Sequence, residues 1–225
     1  MAKITTSFFC QNCGAKSSKW IGKCPSCNEW NTYVEEIIQK DSRKINAFSR
    51  DRVVIPVSSK AIVDIQSENL SRFVTTDNEF NRVLGQGIVP GSLILLGGEP
   101  GIGKSTLLLQ LALKNRLKVL YVSGEESEHQ IKMRAERIGI ENPDCFILTE
   151  TNLEQVFEQL KKVEPQLLII DSIQTLYSSL VESAPGTVSQ IRECTGSLLR
   201  FAKENNVSVV LIGHITKDGA IAGPK

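Results

Sequence analysis

The sequence predicts an α/β fold with a mainly parallel sheet, preceded by a small four-cysteine zinc module. Three observations predict it. From about residue 62 onward, continuous apolar segments alternate with helical ones, the pattern of a parallel sheet buried on both faces. A glycine-rich stretch, "GGEPGIGKST" at 97–106, joins one such strand to one such helix. Four of the six cysteines stand near the N-terminus in two C-x2-C pairs.

A chain of 225 residues accommodates one core-bearing domain and a small module. With 41% hydrophobic and 23% charged residues, the composition excludes a disordered or fibrous class. The N-terminal "MAKITTSFFC" lacks the apolar stretch of a secretory signal. No apolar run approaches the length of a membrane span. The expectation is a cytoplasmic protein in a reducing compartment, with no membrane partner. Net charge is +1 but uneven, with ten Lys/Arg against five Asp/Glu in residues 1–60 and sixteen against twenty in 61–225. A basic N-terminal part suits a polyanion, but a solvated surface explains it nearly as well.

The first element is the cysteine set, Cys10-x2-Cys13-x10-Cys24-x2-Cys27. In a reducing compartment this spacing reads as a Zn²⁺ site rather than a disulfide frame or redox pair. Each C-x2-C knuckle supplies two thiolates to a tetrahedral ion. Gly14 and Asn28 follow the second cysteine of each pair, and both tolerate the left-handed backbone such a turn often needs. The module is assigned to 1–34, with Phe8, Phe9, Trp20, Trp30 and Tyr33 expected to pack around the metal rather than stack on bases. Cys145 and Cys194 are expected to be small core residues. Residues 35–61, polar and charged without sustained periodicity, read as a linker.

Residues 62–225 form the larger domain. A short helix is capped near Asp77 and ended by Gly85, and Pro90-Gly91 turns into the strand 93–96. Helical patterns follow at 104–116, 127–138, 153–163 and 188–205, and strand patterns at 118–122, 146–148, 167–170 and 207–212.

The glycine-rich stretch fits G-x-x-x-x-G-K-[ST] as Gly98, Gly103, Lys104 and Ser105. The loop Gly98, Glu99, Pro100, Gly101, Ile102, Gly103, followed by Lys104, Ser105 and Thr106, can turn backbone N–H groups toward phosphates at a helix N-terminus. Lys104 suits the β- and γ-phosphates and Ser105 a Mg²⁺ ion brought with ATP. A dinucleotide-binding G-x-G-x-x-G from Gly101 fails at Thr106. "QLLIIDS" is a strand ending in Asp171, which can hold Mg²⁺ opposite Ser105. "YVSGEES" offers Glu125 or Glu126 to polarise a water. "LIGHITK" offers His214 as a γ-phosphate sensor. A guanine-reading N-K-x-D, an LSGGQ-like signature and an arginine-rich lid are all missing. Loop, strand-end glutamate, strand-end aspartate and strand-end polar sensor together suit a RecA-like P-loop ATPase core.

The chain resembles the RadA (Sms) family of RecA-related bacterial DNA repair and recombination proteins. The residues that carry the resemblance are "CQNCGAKSSKWIGKCPSCNEWNTYVEE", "NRVLGQGIVPGSLILLGGEPGIGKSTLLLQ", "YVSGEES", "LLIIDSIQTL" and "GHITKDGAIAGPK". The resemblance implies DNA-dependent ATP hydrolysis and branch migration by homo-oligomeric rings acting on single-stranded and branched DNA, with the RecA recombinase as a candidate partner. It assigns the catalytic base to Glu125. It places DNA on the loops 178–190 and 217–225, where Lys217 and Lys225 supply charge. Members of the family continue past "GPK" with further strands, a lysine-arginine motif and a Lon-protease-like domain, so the chain is expected to be an N-terminal portion. Two rival readings are a RecA-like ATPase switch and a nucleotide-gated zinc adaptor, both acting on a protein partner.

Overall fold

A computed structural model describes residues 4–39, 59, 61–64 and 71–214. In the N-terminal module, β1 (Ile4–Cys10) pairs antiparallel with β2 (Lys16–Ser17) on one side and β3 (Tyr33–Gln39) on the other. β3 runs on to Gln39, five residues beyond the boundary expected at 34. The reason is that this strand is paired along both edges, with β1 over its whole length and with a later strand at Ile37 and Ile38. Most of the segment read as a linker lies outside the described residues.

The larger domain begins with α1 (Asn78–Val83), whose N-cap Asp77 accepts a hydrogen bond from the Phe80 N–H. There follow β4 (Leu93–Gly98), α2 (Lys104–Lys114), β5 (Val119–Ser123), α3 (Glu128–Ile138), β6 (Cys145–Thr149), α4 (Leu153–Val163) and β7 (Leu167–Asp171). The chain continues with β8 (Val181–Glu182), α5 (Val188–Asn205) and β9 (Ser208–His214). The sheet order is β4-β9-β7-β5-β6, with every pairing parallel.

The helices divide between the two faces. Along β7, Leu168 and Ile170 face α4 and α5 through Leu153, Val156, Ile191 and Leu198. Leu167 and Ile169 face α2 and α3 through Leu108, Leu109 and Ile131. A strand sandwiched in this way can place no polar side chain along its middle, which is why "LLII" is uninterrupted. Truncating one such residue to alanine costs about 2–5 kcal/mol. Local sequence stops and starts each helix. Ser127 and Gln130 form a reciprocal capping box on α3, and Gly139 closes it in the left-handed conformation. Asn152 and Thr187 cap α4 and α5.

Two features were not foreseen. β8, inside the 178–190 loop, pairs antiparallel with β3 through Ile37↔Glu182 and Ile38↔Val181. In addition, Trp20 and Trp30 do not pack around the cysteines but are 56% and 67% exposed. The sulfurs have Phe8, Ala15 and Tyr33 as neighbours instead. So compact a sulfur cluster has room for few side chains, and the indoles fall outside it. Cys194 is buried in the core and Cys145 packs at its margin. Burial pushes both thiols up, to about 12 and about 11. Among the described residues no helix is long and apolar enough to cross a membrane.

Candidate functional site

Parallel pairing brings the site together. Gly98 at the end of β4 stands opposite His214 at the end of β9, and Ser123 at the end of β5 stands opposite Asp171 at the end of β7. The glycine-rich loop, the Ser123–Glu126 turn, Asp171 and His214 therefore share the carboxyl edge of the sheet, where ligands of such sheets sit.

The loop 98–103 leaves β4 and enters α2 with Gly101 and Gly103 both at positive φ. Gly103 is the N-cap of α2 and makes no side-chain cap, so the helix's first N–H groups point into the loop. Glu99, Pro100, Gly101, Ile102 and Thr106 are exposed, and Ser105 lies half-buried on the first turn. Lys104 is 7% exposed, and its ammonium donates to the carbonyls of Gly98 at 2.8 Å and Glu99 at 2.7 Å. The cationic head thus sits over the loop at the positive end of α2, the arrangement that captures a polyphosphate.

Glu125 is held by two side chains. Its Oε1 accepts from the Ser172 hydroxyl at 2.7 Å and contacts His214 Nε2 at 3.1 Å. A carboxylate partner requires Nε2 to carry the proton. Burial acts to raise the Glu125 pKa, but the hydrogen bonds from Ser172 and His214 and the nearby Lys104 charge outweigh it and hold the carboxyl below its ordinary value. Glu126 turns elsewhere and pairs with Arg134 of α3. The turn that leads from β5 to Glu125 needs Gly124. A Cβ there would stand 2.1 Å from the Thr175 hydroxyl oxygen, and the Gly124 N–H donates to the Asp171 carbonyl at 3.0 Å.

Asp171 is 5% exposed, and its Oδ2 accepts a 2.6 Å hydrogen bond from the Tyr121 hydroxyl. The peptide that follows it, to Ser172, is cis. Tyr121 engages Oδ2 and not Oδ1, and a carboxylate oxygen is the donor type Mg²⁺ takes. Sequence reasoning missed Ser172 and Tyr121. The signal for Tyr121 was present: a tyrosine in an aliphatic, doubly buried strand must find a partner for its hydroxyl. Ser172 carries no comparable signal, because only the folded register brings it to Glu125.

Cys10, Cys13, Cys24 and Cys27 have all their sulfurs within 4.8 Å of one another. Two contacts, Cys10–Cys27 and Cys13–Cys24, are 3.6 Å. Four thiolates at about 2.3 Å from a tetrahedral Zn²⁺ would stand about 3.8 Å apart, so the set fits that ion. Gly14 and Asn28 are at φ 69° and 63°, and their N–H groups donate to the Cys10 and Cys24 carbonyls. Burial raises the Cys24 pKa, but backbone N–H donors at Cys27 and Ser26 outweigh it and bring the thiol down to about 6.

The 178–190 loop is tied down along much of its length. Buried Gln190 accepts from the Ser178 N–H at 2.8 Å and donates to the carbonyls of Val181 at 2.7 Å and Ser183 at 3.0 Å. Lys217, Lys225 and the segment around them lie outside the described residues.

Residues 8–35 match the rubredoxin metal binding domain. DNA repair protein RadA of Listeria monocytogenes is 52% identical over all of this chain and 49% of its own length. The RadA proteins of Bacillus subtilis and Campylobacter jejuni are 47% and 49% identical, also over all of this chain, with 50% and 51% of their own lengths covered. The chain spans about half the length of the curated relatives it matches. A KaiC-like protein of Pyrococcus horikoshii shares the RecA-like fold, with a TM-score of 0.56 and 20% identity over 67% of this chain and 74% of its own. Residues 63–220 match the AAA domain family, and the chain belongs to that family.

Proposed function

We propose that this chain is the nucleotide-hydrolysing part of a DNA-dependent ATPase that acts in DNA repair and homologous recombination in the cytoplasm and promotes branch migration. The observation that carries the ATPase reading is Glu125, held by Ser172 and His214 at the same sheet edge as the Lys104 loop and Asp171. The DNA repair reading is supported by the likeness to the RadA proteins.

In this reading the loop N–H groups and Lys104 bind the β- and γ-phosphates. Mg²⁺, held by Ser105 and Asp171, would neutralise phosphate charge. Glu125 accepts the proton of the attacking water, the role of a positioned base. Its lowered pKa keeps it ionised at neutral pH. His214 both steadies Glu125 and stands where it can register the γ-phosphate. Zn²⁺ on the four cysteines is structural, since four protein thiolates leave no open position. Branched and single-stranded DNA, a homo-oligomeric ring and the RecA recombinase are the partners of the complete protein in this reading.

The test is ATP turnover of the complete protein with and without saturating single-stranded DNA. Acceleration supports the motor. An unchanged rate, together with stimulation by a protein partner, would favour an ATPase switch or zinc adaptor instead.

A further inference from the structure

Both tryptophans of this chain lie outside the packing of the metal-binding module, and they lie together. A Cβ placed on Gly22 would stand 3.6 Å from the Trp20 ring and 3.8 Å from the Trp30 ring. Lys23 pairs with Trp30 in an antiparallel bridge, and its ammonium sits 5.7 Å from the Trp30 ring centroid. Ile21, between Trp20 and Gly22, is 37% exposed. Lys16 and Lys19 are exposed on the same segment. Residues 16–23 thus carry three lysines and no carboxylate, and Glu29 beside Trp30 is the nearest acid in sequence. The metal site does not need these rings, since its sulfurs pack against Phe8, Ala15 and Tyr33.

We propose that this Trp20–Trp30 face is a stacking platform for single-stranded nucleic acid. Flat, exposed π-faces interleaved with lysines match a strand that offers bases and phosphates in alternation. A protein partner fits less well, because protein interfaces are depleted in lysine relative to the rest of the surface. The face is also firmly mounted. Arg192 of α5 donates to the Gly14 carbonyl at 2.6 Å and the Cys13 carbonyl at 2.8 Å, gripping the first knuckle. β3 of the same module pairs with β8, inside the 178–190 loop assigned to DNA above. The inference rests on that DNA reading and extends it to a second contact surface.

The two tryptophans are the only ones among the 225 residues, so intrinsic emission reports this face alone. The zinc-loaded chain is titrated with an oligothymidylate of about 16 nucleotides. The expected result is quenching on binding, with an abasic strand of equal charge producing much less. Trp20→Ala and Trp30→Ala should each weaken binding by about 5- to 100-fold, the usual worth of one stacked base. Trp20→Phe and Trp30→Phe should retain most of the affinity. If the alanine variants lose zinc, Lys19→Glu with Lys23→Glu serves instead, and should flatten the salt dependence by about two phosphate contacts. Equal quenching by the abasic strand, or unchanged affinity in the alanine variants, overturns the inference. If Lys217→Ala with Lys225→Ala abolishes binding while bound DNA never alters the emission of the parent chain, the loops bind DNA and the platform does not. If the zinc-loaded chain and the complete protein both bind no strand, the DNA reading and the platform fall together. Emission that shifts with protein concentration alone would mark a contact between copies and also overturn it.

Discussion

Removing one oxygen atom from Tyr121 is the sharpest probe of how the strand-end aspartate is held. In Tyr121→Phe the ring keeps its place among Leu108, Leu109 and Ile131, so the void is no larger than a hydroxyl. What disappears is a 2.6 Å bond to a carboxylate, between side chains 1% and 5% exposed. A hydrogen bond to a charged group contributes about 1.5–3 kcal/mol, and water cannot easily replace it at such burial. The variant should therefore lose about 1.5–3 kcal/mol, equivalent to a fall of about 1 M in the urea midpoint if the slope stays near 2 kcal/mol per molar. Burial and the Asp171 charge push the Tyr121 pKa far above its ordinary 10.0. A raised folded pKa gives stability that is fully present below about pH 10 and lost as pH rises through the folded value. Tyr121→Phe should accordingly flatten the alkaline limb of the stability profile. The assay is urea unfolding followed by far-UV circular dichroism from pH 7 upward. A midpoint unchanged at pH 7, with the slope unaltered, would refute the reasoning and mean that Asp171 is not held through Tyr121.

Glu125→Gln should keep ATP binding and cut turnover by about two to four orders of magnitude, whereas Glu126→Gln should cost far less; steady-state hydrolysis by the complete protein with DNA decides between them. Glu125 also carries an acid signature. Its lowered pKa contributes stability that is present above its ordinary value of 4.5 and lost as pH falls through the folded one, so Glu125→Gln should flatten unfolding curves measured below pH 5. Cys24→Ser should release the metal and unfold the module while the parallel sheet survives on its own core, which metal analysis paired with circular dichroism would show. Arg192→Ala should leave zinc bound yet raise amide exchange along β3, because the module loses its grip on α5.

Elements governed by a strict local requirement were legible in the sequence. The strands at 118–122, 167–170 and 207–212 lie within two residues of β5, β7 and β9 at either end, because a strand covered on both faces tolerates no polar interruption. The glycine-rich loop and the two knuckles were legible for a similar reason: phosphate and metal geometry dictate residue type at fixed spacing. Pairings that depend on distant chain were not legible. β8 is two residues long and exists as a strand only because β3 arrives beside it. Ser172 reaches Glu125 only through the register of β5 on β7. The tryptophans were misplaced because aromatic residues were expected inside, and that expectation assumes a core large enough to receive them.

Among the described residues, the stretch 172–192 links the nucleotide site to the metal-binding module. Asp171 ends β7 and Ser172 holds Glu125. Three residues on, the Thr175 hydroxyl donates back to the Ser172 carbonyl and crowds Gly124. The Tyr177 N–H bonds to Thr151, and Ser178 and Val181 are fastened by Gln190. Val181 then pairs with Ile38 of β3, and two residues past Gln190 stands Arg192, on the Cys13 and Gly14 carbonyls. Every step is a hydrogen bond or a peptide link, and several of the groups are buried. Contiguity of this kind does not amount to coupling, which requires an element with two states. It does mark one place for such an element. Among the described contacts, a motion that carries nucleotide state to the module along this path passes through residues 172–192, and strand pairing at β8 lies on it.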